Sequence, residues 1–508
     1  MTRRTLAVAV LTGWLCVLGL HVRREYFAPE SARLEEGARS LAPGSHFYVV
    51  RMGGTAIGRG STRLDTLPGG RFRIDDDLIL DVPALDTVQR ATAQTSVTLD
   101  PRLRLAEFRF TLSSEIGRFT ARGEVERDST LNVEVFSGAG RERTRLVGAG
   151  DLLLDVAVPL RAAAAGNLAV GRSFRARVFD PSSMAEQESE YRVVEMGTMI
   201  VPDSVGVDGG RWVATSWDTV AVWRIEQSMA GVAVTTWVDD DGMVVRAESP
   251  LGFTIERTAY ELSVQEWTEA QSDTRRAAGY GAIIERTAIS AGAVLAAAAR
   301  GDELRVRLLG VDLEGFDLDG GAQTLRGDTL VIRRGGIPLT GGYELPYAGD
   351  EDIEAELVST PLIQAGDPRI VAKAVEVLDG TADPVEAALR LNDWVHAALA
   401  KRVTPSVPSA VQVLEALRGD CNEHTVLYVA LARAAGLPAR TAAGLVHIDG
   451  RFYYHAWPEV WLAGQWLAVD PTLGQFPADA SHLRFTVGGL ARQLELVRLI
   501  GRLRLEVP

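Results

Sequence analysis

The N-terminal half of the chain alternates apolar and polar positions. From Phe47 to Glu266, short stretches with this period of two are separated by turns rich in glycine, aspartate and asparagine. Alternation with β-branched and aromatic residues is typical of antiparallel strands. Asp239 to Gly242, which lies between two such stretches, is typical of a hairpin turn. We therefore predict an antiparallel β-rich region, of one or more domains, at residues 40–267.

Alternating stretches return over residues 280–360, where we expect a small β module. This segment contains an acidic loop that loosely matches a calcium-binding EF-hand, with Asp312, Glu314, Asp317 and Asp319. The terminal glutamate of an EF-hand loop has no counterpart here. The loop therefore predicts no metal site.

The pattern becomes helical after Asp367. Asp383 is followed by a proline at the first helical position, which predicts a capped helix. Ser409 and the glutamine three residues later form a capping-box pattern, which predicts a second helix. A third helix is expected to begin at or just after Cys421 and to end at Gly436. Strands are expected beyond it.

The first residues of the chain have no such alternation. Thr5 to Leu20 form an almost wholly apolar run with arginines on both sides. The run is about long enough for a slightly short membrane span, and no small-residue cleavage site follows it. We expect an uncleaved signal anchor at residues 1–24, with a cleaved signal peptide as the alternative. The basic N-terminal tail places the body on the extracytoplasmic, periplasmic side.

Length, net charge and cysteine content exclude some classes of protein function. A chain of 508 residues is too long for one ordinary core, so several domains are expected. The net charge of −14 argues against a nucleic-acid-binding surface. The two cysteines, Cys16 and Cys421, lie in an apolar and a polar segment respectively, so we expect no internal disulfide. Cys421 is then either a reactive thiol or an inert buried one.

The neighbours of Cys421 favour a reactive thiol. A helix N-terminus favours a thiolate, and an adjacent histidine would activate it further. If Ala463 and Gly464 form the turn of the following hairpin, His455 and Asp470 are diagonal neighbours on one face. The carboxylate would then orient the imidazole. We predict that Cys421, His455 and Asp470 form a catalytic triad.

A zinc site is the alternative use of these residues. His424 lies three residues after Cys421 and could join it, His455 and Asp470 as a ligand. Zinc sites usually recruit further cysteines, and a helix start suits a nucleophile better. We therefore predict neither a metal nor another cofactor.

Three motifs carry a family resemblance. They are GDC with a downstream ALARAAGLPAR, then HAWPEVW, then WLAVDPT. In this order they resemble the bacterial transglutaminase-like superfamily over residues 367–485. The resemblance implies a papain-like α+β core, with Cys421 as nucleophile, His455 as general base and then acid, and Asp470 as the orienting group. It places this domain at residues 366–490, followed by a tail at 491–508.

The expected fold class is therefore multi-domain: an N-terminal membrane helix, an antiparallel β-rich region, a small β module and the α+β core. The expected function is a membrane-anchored cysteine enzyme acting on amide bonds of peptides or glutamine side chains. An acyl-thioenzyme would pass its acyl group to water or to an amine, so the expected partner is a peptide or protein substrate. The alternative is a non-catalytic envelope binding or scaffold protein that uses the β-rich region.

Overall fold

The computed structural model describes residues 30–84, 87–115, 117–127, 129–137, 140–229, 232–249, 252–271, 288–290, 301–402, 406–407 and 409–506. The predicted membrane segment, residues 1–24, lies outside these ranges. Within them, none of the helices has the length and apolar character needed to cross a bilayer.

A single antiparallel sheet of fourteen strands dominates the N-terminal part. The strands are β1 Gly44–Met52, β2 Thr55–Leu67, β3 Arg71–Ala84, β4 Thr87–Leu99, β5 Leu105–Ser113, β6 Arg118–Val125, β7 Leu131–Ser137, β8 Gly140–Leu146, β9 Ser173–Asp180, β10 Ala185–Asp208, β11 Arg211–Met229, β12 Val232–Val238, β13 Val244–Glu248 and β14 Phe253–Thr258. Two meanders, β1 to β8 and β9 to β14, meet where β1 pairs with β14. The predicted hairpin turn at Asp239–Gly242 joins β12 and β13 and is confirmed.

Helices cover the sheet. They are α1 Glu30–Ala38, the 3-10 turn Asp155–Ala157 with α2 Val158–Ala164, and α3 Tyr260–Gln271. Leu160 of α2 is fully buried in the same apolar cluster as Phe108 and Phe179 of the sheet. On α3, Tyr260 packs its ring against Phe47 with the centroids 5.2 Å apart. The large apolar core therefore lies between the sheet and its short helices.

The predicted fold class is wrong and needs correction. The chain is mainly β, built on one large antiparallel sheet, and the described helices include no membrane span. Local alternation identifies strands but not their partners. The pairing of β1 with β14 joins residues about two hundred positions apart, and no local pattern specifies that ladder.

The C-terminal part combines helices with a second sheet. Its helices are α4 Glu351–Glu354 with the 3-10 turn Ala355–Leu357, α5 Pro368–Leu378, α6 Pro384–Ala398, α7 Ala410–Ala416 and α8 Cys421–Ala434. Its strands are β15 Ile289–Ser290, β21 Ala439–Ile448, β22 Arg451–Leu462, β23 Gln465–Ala468 and β24 Leu483–Val487, in the order β15-β22-β21-β24 with β23 beside β22. Two short parallel strands, β19 Ala400–Lys401 and β20 Arg418–Gly419, lead into α8. Helix α8 is buried through its middle turns and forms the centre of this unit.

A small four-stranded sheet packs against this unit. It contains β16 Glu303–Leu309, β17 Gln323–Arg326, β18 Thr329–Arg333 and, from the chain's end, β25 Arg504–Glu506, which follows α9 Leu490–Gln493 and the 3-10 turn Leu494–Leu499. In its acidic loop, the Asp317 carboxylate accepts hydrogen bonds from the Val487 N–H at 2.9 Å and from Arg492 at 2.8 Å. Asp319 accepts one from the Leu325 N–H. Protein donors thus occupy two carboxylates of the EF-hand-like loop.

The two capping patterns have different outcomes. Asp383 accepts hydrogen bonds from the N–H groups of Val385 and Glu386, at 2.7 and 3.1 Å, which confirms the first helix start. Ser409 also lies at a helix start, but its hydroxyl makes no capping bond. It contacts Ser137 of the large sheet and Gln364 instead. The buried Ser409 hydroxyl therefore bonds to residues distant in sequence instead of capping its own helix.

Gly444 is required by the close approach of β21 and β24. A Cβ atom at this position would lie 1.9 Å from the Leu483 carbonyl oxygen, next to a bulge in the ladder. We expect Gly444→Ala to lower the free energy of unfolding by about 2 kcal/mol or more, because the strands must separate. Urea unfolding measures this change.

Gly197→Ala is the matched control, because Gly197 also lies within a strand but has open space around its Cβ position. We expect it to change the free energy of unfolding by less than about 0.5 kcal/mol. Equal effects of the two substitutions would contradict the steric argument.

Candidate active site

Cys421 is the first residue of α8, as the sequence predicted. The Asp420 carboxylate accepts a hydrogen bond from the Asn422 N–H at 2.9 Å, and Glu423 accepts one from the Asp420 N–H at 2.8 Å. A Cβ at Gly419 would lie 2.2 Å from the Glu423 Cβ, so only glycine permits this reciprocal cap. The GDC motif therefore fixes the helix start at the cysteine.

The hairpin that follows has the predicted turn. Trp461 pairs with Trp466, and the two turn residues, Ala463 and Gly464, have φ angles of 50° and 76°. Strand β23 ends at Ala468, so Asp470 lies just beyond the ladder. Its backbone exchanges hydrogen bonds with that of Gln475, at 2.9 Å each. Asp470 is thus held by a turn rather than by regular strand pairing.

The Asp470 carboxylate is fully buried and has four hydrogen-bond donors. One oxygen accepts bonds from the N–H groups of Thr472 and Leu473, at 2.8 and 3.0 Å. The other accepts from Nε2 of His455 at 2.8 Å and Nε2 of His482 at 3.0 Å. Burial alone would raise the pKa of Asp470, but the two histidines hold it well below its usual range. The carboxylate therefore stays ionised.

His482 is a part of the site that the sequence analysis missed. It lies immediately before β24, and its Nδ1 contacts Asp479 Oδ1 at 3.1 Å while Nε2 contacts Asp470. Burial lowers the pKa of His482, but the two carboxylates outweigh this effect and raise it to about 9. His482 is therefore an imidazolium at neutral pH. No motif in the sequence distinguishes it from other histidines.

Trp457 covers the two histidines. Its ring centroid lies 6.1 Å from that of His455 and 5.1 Å from that of His482, and its side chain is 1% exposed. Such a layer excludes water from the histidine–carboxylate pair and strengthens the interactions within it.

The Cys421 thiol lies beside the histidine strand. It is half-buried, and the backbone of Ala456, the residue after His455, is close enough to favour its ionised form. Burial, reinforced by the neighbouring Asp420 and Glu423, raises the pKa of the thiol well above its usual value. Burial and the two carboxylates of the helix cap thus oppose the thiolate that the helix start was expected to favour.

The ring nitrogens of His455 have separate roles. Nε2 is occupied by Asp470, so Nδ1 is the nitrogen available to a thiol. The structure thus brings His455 and Asp470 into direct contact and places Cys421 next to them.

The residues that could form a zinc site in the structure differ from those that the sequence suggested. His424 is buried on α8, with Nδ1 2.7 Å from the Asp420 carbonyl oxygen. The ligand atoms that do lie within 4.8 Å of one another are those of His455, Asp470 and His482. Both histidines direct Nε2 to the same carboxylate oxygen, and Nδ1 of His482 contacts the Asp479 carboxylate. These contacts favour a hydrogen-bonded unit over a metal centre, since metal ligation needs a deprotonated nitrogen.

Comparison with known families agrees with this geometry. Residues 371–471 match the family model described as Transglutaminase-like superfamily. The chain carries a transglutaminase-like domain. The matched segment contains Cys421, His455 and Asp470, whereas Asp479 and His482 lie beyond its end. No curated protein matches the chain significantly.

Several solved structures are similar to parts of this chain. A "putative cysteine protease" from Cytophaga hutchinsonii is 14% identical, with a TM-score of 0.28, covering 41% of this chain and 84% of that one. A β-barrel-like protein of domain of unknown function DUF1849 from Brucella abortus is 13% identical, with a TM-score of 0.31, covering 43% and 94%. A "putative protease" from Parabacteroides distasonis is 9% identical, with a TM-score of 0.19, covering 74% and 69%. With TM-scores this low, these likenesses carry no argument about function.

The raised pKa of His482 makes stability depend on pH. Its value is 6.5 in an unperturbed chain and about 9 in the folded protein, so folding takes up a proton between these values. The contribution of His482 to stability is complete below pH 6.5 and is lost as the pH rises through 9. We expect the free energy of unfolding to fall by roughly 2–4 kcal/mol over this interval through this group.

His482→Gln tests this dependence by denaturant unfolding at pH 6.5 and above 9. The variant should be less stable than the wild type at pH 6.5 and should lose much less stability as the pH rises. Asp479→Asn should also reduce the pH dependence, because it removes one of the two carboxylates that hold the proton. An unchanged slope in both variants would contradict the assignment of an imidazolium.

Proposed function

We propose that the transglutaminase-like domain is a cysteine enzyme that transfers acyl groups from amide bonds of a peptide or protein. The observation that carries this proposal is the bond between His455 Nε2 and the buried Asp470, on the strand next to Cys421. Nucleophilic catalysis requires a nucleophile, a base and a carboxylate that orients the base, and these three residues supply the groups. The coarser function, a cysteine-protease-like activity, also fits the family match.

The first half-reaction begins with a neutral thiol. Cys421 transfers its proton to Nδ1 of His455 as the sulfur attacks the carbonyl carbon of the substrate amide. A carbon–sulfur bond forms, and the carbonyl electron pair moves to oxygen. The tetrahedral intermediate then collapses, the carbon–nitrogen bond breaks, and His455 returns the proton to the leaving amine. Asp470 stabilises the imidazolium throughout, because it stays ionised.

The helix start provides an oxyanion site. First-turn N–H groups have no partner within a helix, and the Asp420 side chain takes that of Asn422. The N–H of Cys421 therefore remains to stabilise the oxygen of the tetrahedral intermediate. A single donor of this kind is worth roughly 3–4 kcal/mol of barrier lowering in acyl-transfer enzymes.

The second half-reaction releases the acyl group. His455, again neutral, takes a proton from water or from an amine that attacks the thioester carbonyl carbon. The new bond forms, the carbon–sulfur bond breaks, and the imidazolium returns a proton to the sulfur of Cys421. Water gives a hydrolase and an amine gives an acyltransferase. The proposal includes both water and an amine as acceptors.

Acylation of Cys421 is the direct test. We expect p-nitrophenyl acetate, an activated ester, to release p-nitrophenolate and to leave one acetyl group on Cys421, detected by mass spectrometry of the intact chain and its peptides. His455→Ala should slow this acylation by about 100-fold or more, because the thiol then has no base. Cys421→Ser should give no thioester.

His447→Ala is the matched control, since His447 lies on the neighbouring strand β21 and outside the site. It should acylate at the wild-type rate. Circular dichroism should show that all variants are folded. Acylation of Cys421 that is equally fast with and without the His455 imidazole would refute the enzyme proposal and favour the scaffold alternative.

The acceptor can be identified in the same assay. Adding hydroxylamine, a strong nucleophilic amine, should convert the acetyl-enzyme to acetohydroxamate and speed the return of free Cys421. A thioester that persists in water but turns over with a primary amine such as cadaverine indicates an acyltransferase. Turnover in water at a rate that cadaverine does not change indicates a hydrolase.

A further inference from the structure

The inner face of the large sheet encloses a cavity of about 590 Å³. This volume lies within the range of small-molecule pockets, which are usually apolar with a few placed polar groups. Its lining is mainly apolar and includes Val50, Phe110, Val178, Ile225 and Ile255. The cavity is distinct from the active site, because none of the catalytic residues lines it.

Strand register explains why these side chains share one face. Gln227 pairs with both Tyr191 and Val234, so these three side chains lie in one row across the sheet. Thr236, two positions after Val234, pairs with Ile225. All of these residues line the cavity. Thr235, between Val234 and Thr236, points to the opposite face of the sheet and does not line the cavity.

Four carboxyl groups line the cavity, those of Asp76, Asp77, Asp155 and Asp180. Asp155 lines the cavity and accepts hydrogen bonds from Tyr191 at 3.1 Å and from Gln227 at 3.3 Å. Asp76 accepts a hydrogen bond from Thr62. Burial raises the pKa of Asp155 and of Asp76.

The charges of the side chains that line the cavity restrict which polar group a ligand can carry. None of the described residues that line the cavity is a lysine, arginine or histidine. An anionic group would therefore meet acidic side chains in an apolar surrounding, with no cation to compensate for its desolvation. A hydroxyl group, by contrast, can both donate to and accept from carboxyl, amide and phenol groups.

We propose that this cavity binds an uncharged single-chain lipid of the monoacylglycerol type. The hydrocarbon chain lies among Val178, Ile225, Val234 and Ile255, and the hydroxyl end contacts Asp155 and Gln227. The large sheet is then a lipid-binding module attached to the transglutaminase-like domain. This inference does not depend on the activity of Cys421.

Equilibrium dialysis of the purified full chain with radiolabelled 1-monolauroylglycerol, below its critical micelle concentration, tests the proposal. We expect one molecule to bind per chain. Laurate has the same chain but an anionic end, and at pH 8 it should bind at least about tenfold more weakly. Glycerol, which lacks the chain, should show no measurable binding.

Val234→Trp should fill the cavity and weaken monolauroylglycerol binding by about tenfold or more, whereas Thr235→Trp on the opposite face should bind like the wild type. Ala247→Phe, which also lines the cavity, is a second filling variant in case Val234→Trp does not fold, as judged by circular dichroism. Equal binding by folded filling variants and the Thr235→Trp control would overturn the site. Equal or tighter binding of laurate would overturn its preference for uncharged lipids.

Discussion

The buried carboxylate of Asp470 is the constraint on which the catalytic domain depends. An ionised carboxyl group without exposed surface is stable only if its oxygens are fully hydrogen-bonded. Two of its four donors come from its own turn, one comes from His455 on β22, and one comes from His482 before β24. Three separate segments must therefore meet at one point for the charge to be tolerated. The same bonds orient the His455 imidazole, so the stability of the domain and the geometry of the candidate site have one cause.

The charges around the site decide how the thiol reacts. His482 already neutralises part of the negative charge of Asp470, and Asp479 in turn neutralises His482. On the other side, Asp420 and Glu423 oppose ionisation of Cys421. Ionisation of the free thiol is therefore disfavoured. In the reaction proposed above, the thiol accordingly loses its proton during attack on a bound substrate, whose developing oxyanion the helix start can stabilise.

Local features of the sequence predicted local features of the site. The helix start at Cys421 and the hairpin turn at Ala463–Gly464 each follow from a few adjacent residues, and both are present. His482 was not predictable, because only the folding of β24 beside β21 brings it to the carboxylate. Ser409 misled the sequence analysis for the same reason, since its hydroxyl bonds to a strand some 270 residues earlier. Alternation likewise predicted the strands but not the single sheet that they form.

Two contacts between the large sheet and the transglutaminase-like domain fall on the segment that leads to Cys421. Gln412 of α7 donates to the Arg118 carbonyl at 2.6 Å, and Arg418, three residues before Cys421, donates to that of Glu115 at the same distance. Both acceptors lie at the end of the hairpin that β5 and β6 form. Both acceptors are backbone carbonyls next to the paired strands β5 and β6, so they hold the approach to α8. The sheet therefore helps to set where the helix begins, and with it where the sulfur lies relative to the imidazole.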